Sequence, residues 1–320
     1  MLNRRILRIK TFKTLFSYAL TREGEKPASM QEAKALLEES CEATRDLYIF
    51  LLGITPELCK ITREKLDALK GKLHPTEEEK NPNYKFADNR IAAIIADDPD
   101  FQKAFQKRKF SWAQYDILLR NICASMFTKP YYQKYLSSKT ASLEADCAVL
   151  CKVFEEEFVD NADIESLLED MNVWWYDDIA YALSCCCDTF KALAAGECWT
   201  MPPLYRSEIL KAQGKEGITS DRDFMIKLFE TAYAGYGKYF DLIADASKTW
   251  ERDRLVSTDV CLMVCCLAEV EAFPEIAPVI SVNEYVEISR FYSTPKSTVF
   301  VNGILNNLAC NSRKADISKQ

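Results

Sequence analysis

Histidine is all but missing from this sequence: His74 is the only one in 320 residues. Most metal sites and most histidine-assisted nucleophiles need imidazoles that this chain cannot supply. Glycine (9) and proline (11) are scarce as well. All-β folds consume such residues at every turn, so their scarcity points to long helices with short connections and an all-α fold. No glycine-rich phosphate loop is present, and no pair of carboxylates stands out as a catalytic pair. Long apolar runs are also lacking. The most apolar stretch, Val260 to Ala268, lies between Asp259 and Glu269 and is too short to cross a bilayer. The basic first residues are not followed by an apolar signal-peptide core. An excess of positive charge is missing too. The formal net charge is −7, which excludes a protein that is basic overall but leaves room for a local basic patch. These absences predict a chain that is not an enzyme, needs no cofactor or metal and makes no membrane contact.

Cysteine, by contrast, is plentiful at 13 residues. Cys185, Cys186 and Cys187 are adjacent, as are Cys265 and Cys266. Neighbours point to different faces, so no simple disulfide framework follows, and no C-x-x-C pair is matched by a second one. The reading is reduced cysteine used as a small apolar residue in a reducing cytoplasm. The acidic stretch Glu155, Glu156, Glu157, Asp160, Asp163, Glu165, Glu169 and Asp170 lacks calcium-loop spacing. It reads as a solvated face or a seat for a basic protein.

Helical spacing runs through most of the chain. Residues 3–21 predict an amphipathic helix with Ile6, Ile9, Phe12, Phe16 and Leu20 toward a core. Arg4, Arg5, Arg8, Lys10 and Lys13 occupy much of the rest, and no acid precedes Glu23. Ser29 with Glu32 forms a capping-box pattern for a second helix, and Thr55-Pro56 reads as the cap and first residue of a third. Residues 74–85 read as a loop. Further helices are expected over 86–136, with breaks at Pro99 and Pro130, and over 140–159 and 164–195. A looser connection spans 196–219. The last ordered region begins at Asp221, with helices over Leu255–Ala272, Val282–Tyr292 and Ser297–Cys310. The expected organisation is a basic N-terminal helix (1–28), a helical extension (29–215), a C-terminal helical bundle (216–310) and a polar tail (311–320).

Three segments, in order, resemble the NusB family. Arg4-Arg5-x-x-Arg8 followed by Leu15-Phe16 is similar to that family's Arg-rich opening helix. Trp250, Arg252, Arg254-Leu255 and an apolar helix ending Leu267-Ala268-Glu269-Val270 look like its buried fifth helix. Most specific is Val279-Ile280-Ser281-Val282-Asn283-Glu284-Tyr285-Val286-Glu287-Ile288 followed by Phe300-Val301-Asn302-Gly303-Ile304-Leu305, which resembles the two C-terminal signatures at the family's separation. The resemblance covers the first helix and the last third of the chain. Residues 30–215 depart from it as a helical insertion, which looks like the extended form of the family in Bacteroides-group bacteria.

The resemblance implies a pair of packed helical bundles and transcription antitermination. It also implies binding of boxA-type ribosomal RNA leader with NusE, a small-subunit ribosomal protein, in a complex that joins RNA polymerase. Carried over onto this sequence, the RNA-binding residues are Arg4, Arg5 and Arg8 with Lys10 and Lys13 beside them, and Lys296, Ser297 and Phe300. Arg4 and Arg8 share a helix face, and guanidinium groups bind phosphate bidentately or stack on bases. Ser297 or Thr298 is expected to cap the final helix, whose free N–H groups attract phosphate. Phe300 offers a base-stacking ring or a core anchor. Ile9 and Lys13 stand where the family often has Glu and Gln, which should strengthen the local positive field. Asn283 and Glu284 read as structural, satisfying nearby backbone.

Three other readings stay open for these features. The basic helix is alternatively a solvated face or a transit peptide. Phe101, Lys103, Phe105, Lys107, Arg108, Lys109, Phe110 and Trp112 form either a second RNA surface or an ordinary charged helix. The whole chain is alternatively a helical protein–protein scaffold that no longer binds RNA. A methyltransferase built around a NusB-like domain would need an additional α/β cofactor domain, for which no strand-rich half exists.

Overall fold

A computed structural model of the chain describes residues 1–22, 29–139, 141–215, 217, 219–247 and 256–310. Trp250, Arg252, Arg254, Leu255 and the polar tail lie outside the described residues. Within them the chain is helical, in seventeen α-helices. They are α1 (Arg4–Arg22), α2 (Met30–Leu52), α3 (Ile54–Lys70), α4 (Glu77–Lys80), α5 (Arg90–Asp97), α6 (Pro99–Lys107), α7 (Asp116–Thr128), α8 (Pro130–Ser137) and α9 (Leu143–Val153). These are followed by α10 (Ala162–Met171), α11 (Ile179–Ala194), α12 (Arg206–Ala212), α13 (Asp221–Ala234), α14 (Tyr236–Ala246), α15 (Ser257–Ala272), α16 (Pro278–Tyr292) and α17 (Pro295–Leu305). No β-strand occurs among the described residues. An isolated bridge pairs Leu2 with Tyr205 through Leu2 N–H to the Leu204 carbonyl (2.7 Å) and Arg206 N–H to the Leu2 carbonyl (2.9 Å).

Four of the eleven prolines sit at the first position of a helix. Pro99, Pro130, Pro278 and Pro295 each open α6, α8, α16 and α17, positions where a missing N–H costs nothing. The Ser29 box closes in both directions: Ser29 N–H donates to Glu32 (2.8 Å), and Glu32 N–H donates to Ser29 Oγ (3.3 Å). Thr55 does not cap α3. Its hydroxyl donates back to the Leu52 carbonyl (3.1 Å), because the backbone stays helical through Gly53 and α3 begins at Ile54, two residues before Pro56. Gly53 is also where the Phe105 ring lies close, in space that a Cβ would occupy. The polar stretch expected to be a loop contains the short α4, closed by a Thr76–Glu79 capping box.

The chain divides into two compact units, Met1–Cys41 with Pro203–Gln320, and Glu42–Pro202. The first is built on α15, against which α1, α13, α14, α16 and α17 pack. Every residue from Val260 to Ala268 is buried. A helix apolar on all sides has no solvent face to present, so it takes the centre. The N-terminal part of α2 belongs here: Cys41 Sγ lies 3.4 Å from Met225 Sδ, and Lys34 pairs with Glu230 (2.5 Å).

On α1 the period of the sequence pattern is right and the phase is wrong. Leu7, Phe12 and Leu15 face the core, while Leu20 is exposed and Ile6, Ile9 and Phe16 are only half-buried. The buried stripe also carries Arg8, Thr11 and Thr14. A count of apolar residues alone therefore selects the wrong face, since a polar side chain can be buried when a partner meets it.

The second unit is organised around an aromatic stack. The Phe50 ring lies parallel to Trp112 at 4.1 Å and to Trp175 at 5.5 Å between centroids. Each indole is fixed at its polar edge: Trp112 Nε1 donates to the Phe50 carbonyl and Trp175 Nε1 to the Ala43 carbonyl, both at 2.9 Å. Beside these helices α9 packs on α5, α8 and α11. Truncating Phe50, which is fully buried, leaves both indoles without their central contact. Phe50→Ala should cost about 3–5 kcal/mol, read as a lowered denaturation midpoint. A loss below about 1 kcal/mol would mean the stack is not the organising contact of this unit.

Candidate nucleic-acid interface

Arg4, Arg5 and Arg8 of α1 are each met by a carboxylate. Arg4 Nε lies 3.3 Å from Asp221 at the start of α13, and its guanidinium sits over the Phe224 ring, 4.8 Å from the centroid. Asp221 is itself held by the Ser207 N–H (2.8 Å). Arg5 makes a two-pronged contact with Glu284 of α16, at 2.9 and 2.8 Å. Arg8 makes the same fork with Glu269 of α15, at 2.7 Å on both arms, and Ser281 donates its hydroxyl to the same carboxylate (2.7 Å). Glu284 also approaches Arg8 at 3.7 Å.

Burial separates their roles. The Arg8 side chain is 6% exposed and Glu269 0%, whereas Arg4 is 37% and Arg5 53% exposed. Burial alone would lower the Arg8 pKa, but the hydrogen bonds and charge of Glu269 outweigh it and the net direction is upward. The Arg5 hydrogen bonds hold the Glu284 carboxyl below the usual range, against a smaller opposing effect of burial. Arg8 is thus held in place by a buried carboxylate. Arg4, Arg5 and Arg8 line an open groove of about 550 Å³ with Asn3, Glu275, Ile276, Ile280 and Glu284.

The remaining positions sit further along. Phe12 of α1 meets Tyr292 of α16, with ring centroids 5.4 Å apart, while Arg5 meets Glu284. Both numbers rise together, so α1 and α16, which both pack on α15, run in the same direction. Eight residues of helix, about 12 Å at 1.5 Å per residue, separate the arginine groove from the end of α16. There the first turn of α17 presents Lys296, which is exposed, and Ser297, which is half-buried. Phe300 is half-buried and engaged in contacts of its own. Lys10 is buried and Lys13 half-buried, both with partners. Neither is a freely exposed point charge.

The cap of α17 differs from expectation. Thr294, not Ser297 or Thr298, accepts the Ser297 N–H (3.2 Å), because Pro295 fixes the first helical position and so sets the cap one residue before it. The second basic and aromatic cluster is split by its own fold. Phe101 and Trp112 are buried and Phe105 and Phe110 half-buried in the aromatic core, Arg108 pairs with Asp46, and Lys103, Lys107 and Lys109 face solvent. It has an ordinary charged face rather than stacking platforms. The residues that sequence reasoning missed are the acids. Glu269 and Asp259 were visible as carboxylates bracketing an apolar run, and both are buried. Asp259 accepts the Ser293 hydroxyl. Glu284 binds arginine rather than backbone.

The Arg8–Glu269 pair gives a thermodynamic cycle. Arg8→Met or Glu269→Met alone strands a buried charge and should cost about 3–5 kcal/mol. The double variant should cost less than either, measured by denaturant unfolding; additive losses would exclude direct coupling. Glu284 gives a pH signature. Its depressed pKa contributes stability above the ordinary glutamate value of about 4.3, and that contribution is lost as pH falls through the lower folded value. A carboxyl-carbon NMR titration should find Glu284 titrating below the ordinary glutamate value in the native chain and rising toward it in Arg5→Ala. An unshifted Glu284 in the native chain would contradict the pairing.

Comparison with known proteins bears on the first of the two units. The NusB family model matches residues 203–310, which begins where that unit resumes at Pro203. The transcription antitermination protein NusB of Salinibacter ruber is 34% identical over 87 residues, 27% of this chain and 54% of the relative. That of Methylacidiphilum infernorum is 43% identical over 72 residues, 22% of this chain and 50% of the relative. That of Listeria monocytogenes is 33% identical over 87 residues, 27% of this chain and 68% of the relative. The chain spans about half the length of the first two. No solved structure matches it at comparable stringency. With an all-helical fold and matched helices surrounding α15, the chain belongs to the NusB family.

Proposed function

We propose that this chain is a transcription antitermination factor that binds boxA-type ribosomal RNA leader with NusE and joins the RNA polymerase antitermination complex in the cytoplasm. Its role is to bind, not to catalyse. The observation that carries the reading is the groove at the start of α1, where two half-exposed arginines, Arg4 and Arg5, stand in the unit that belongs to the family. The names of the matched relatives support the activity. Unpaired RNA suits such a groove, since guanidinium planes can take phosphate or stack on a splayed base. Lys296, Ser297 and Phe300 extend the surface along α16, Lys296 as a free point charge and Phe300 as a partly exposed ring. Lys10, Lys13 and Arg8 support it from within.

Glu284 sets the terms of binding. Arg5 reaches phosphate by exchanging that carboxylate, so the ground state already occupies the donor RNA needs. Three outcomes follow for a labelled boxA-like RNA titrated with and without NusE. Native chain should bind selectively, and more tightly with NusE. Arg4→Ala/Arg5→Ala should lose about tenfold or more while keeping its fold, each lost charged contact being worth roughly 1.5–3 kcal/mol. Glu284→Gln should bind more tightly than native. NusE binding without selective RNA binding would select the protein scaffold reading instead. A Glu284→Gln variant that binds more weakly would sink the exchange.

A further inference from the structure

One aromatic ring of the family-matched unit stands in solvent. Phe291, near the C-terminal end of α16, is 83% exposed, against 49% for Tyr176 and 38% for Phe240, the next most exposed rings among the described residues. It meets no other ring and no cation among them. An isolated exposed apolar residue is ordinary; what distinguishes Phe291 is where it stands. Ile280, Glu284, Glu287 and Phe291 recur at intervals of four, three and four residues, so they line one face of α16. The first two of them also line the arginine groove. Phe291 continues that face two turns past the Arg5–Glu284 fork, about 10 Å further on at 1.5 Å per residue. Between the two, Glu287 pairs with Arg290 at 3.2 Å. Past the ring, the first turn of α17 holds Lys296, exposed and without a carboxylate partner among the described residues.

We propose that Phe291 is a base-stacking platform, on which an unpaired base of the RNA lies between phosphates held at Arg4 and Arg5 and at Lys296. The inference rests on the RNA-binding reading above and adds a contact to it. The charge pattern sets which part of the strand meets this face. Cations stand at its two ends, whereas its middle offers the carboxylates of Glu284 and Glu287 and then the ring. Phosphate is repelled from that middle; a base, being uncharged, is not. Every base has a π-face, so an open phenyl ring accepts stacking without needing a hydrogen-bond match. A strand anchored at both ends delivers the base to the ring as an intramolecular step. Phe291 has nothing to release on binding, unlike Arg5, which must first give up Glu284. Its backbone is also set in advance: the Ser293 N–H closes the end of α16 on the Ser289 carbonyl (2.9 Å), and the adjacent Tyr292 packs on Phe12. Phe300 is less suited to the part, since it is half-buried and already engaged.

The test is titration of labelled boxA-like RNA, with and without NusE, against the native full chain, Phe291→Ala, Phe291→Leu and Phe291→Trp, at several salt concentrations. A ring this exposed adds little to folding, so all three variants should unfold at the native denaturant midpoint. Phe291→Ala should weaken RNA binding roughly five- to a hundredfold, the range that loss of one base–aromatic stack produces. Phe291→Leu, apolar but without a π-face, should fall with it, and Phe291→Trp should bind at least as tightly as native. The slope of affinity against salt should stay native in all three, because no phosphate contact is lost. Ultraviolet cross-linking of the native complex should attach a nucleotide to the peptide that contains Phe291. Selective binding by the native chain with Phe291→Ala binding equally well overturns this inference and leaves the RNA-binding reading standing. Loss of NusE binding in Phe291→Ala, with its RNA binding alone unchanged, makes the ring a protein contact and also overturns it. A native chain that binds no RNA, with or without NusE, removes both readings.

Discussion

One buried ion pair, Arg8 with Glu269, governs the unit that carries the family match. Removing a guanidinium and a carboxylate from water costs several kcal/mol per ion, so the pair persists only because both forks are satisfied and Ser281 supplies a third donor. That requirement fixes three helices at once. The N-terminal part of α1 must present Arg8 inward, α15 must end with Glu269 beside it, and α16 must begin with Ser281 facing the same carboxylate. Glu284, one turn along from Ser281, then falls within reach of both Arg8 and Arg5. The groove with its two outward arginines is a consequence of how the inward one is held.

Much of this was legible beforehand, for reasons that differ by element. The all-helical class followed from scarce turn residues, and α15 from an apolar run with no polar face. The Ser29–Glu32 box is a local motif whose partners are three residues apart, so it reads directly. What could not be read is what depends on distant partners. The face of α1 was misjudged because Arg8 looks solvent-bound until Glu269, 261 residues away, is placed against it. The cap of α17 was assigned to Ser297 or Thr298 because hydroxyls are plentiful there, and only the proline fixes which of them sits before the first turn. The cluster at 101–112 stays open in the sequence between a second RNA surface and an ordinary charged helix, because sequence cannot distinguish rings pointing out from rings closing on the aromatic core.

The cysteines show the same limit from the other side. As a composition they mean filler, and for Cys41, Cys59, Cys265 and Cys266 that reading holds, since each is buried. Where α9 packs on α11, the Cys151 thiol donates to the carbonyl oxygen of Cys187, 36 positions away, a contact that no spacing in the sequence predicts.

The carboxylates facing the α1 arginines have one more consequence, which concerns water and salt rather than geometry. An exposed arginine normally keeps a loose atmosphere of small ions, and nucleic acid binding is driven largely by the ions that both surfaces shed. Here Asp221 and Glu284 act as fixed counterions built into the fold. They cannot diffuse away when a polyanion arrives; they can only turn aside. In the RNA-binding role proposed above, the protein surface would contribute little to ion release, and selectivity would come from shape and base contacts instead of from bulk attraction. For a chain with a net charge of −7, binding of that kind would favour one well-fitting strand over the many others that charge alone would gather.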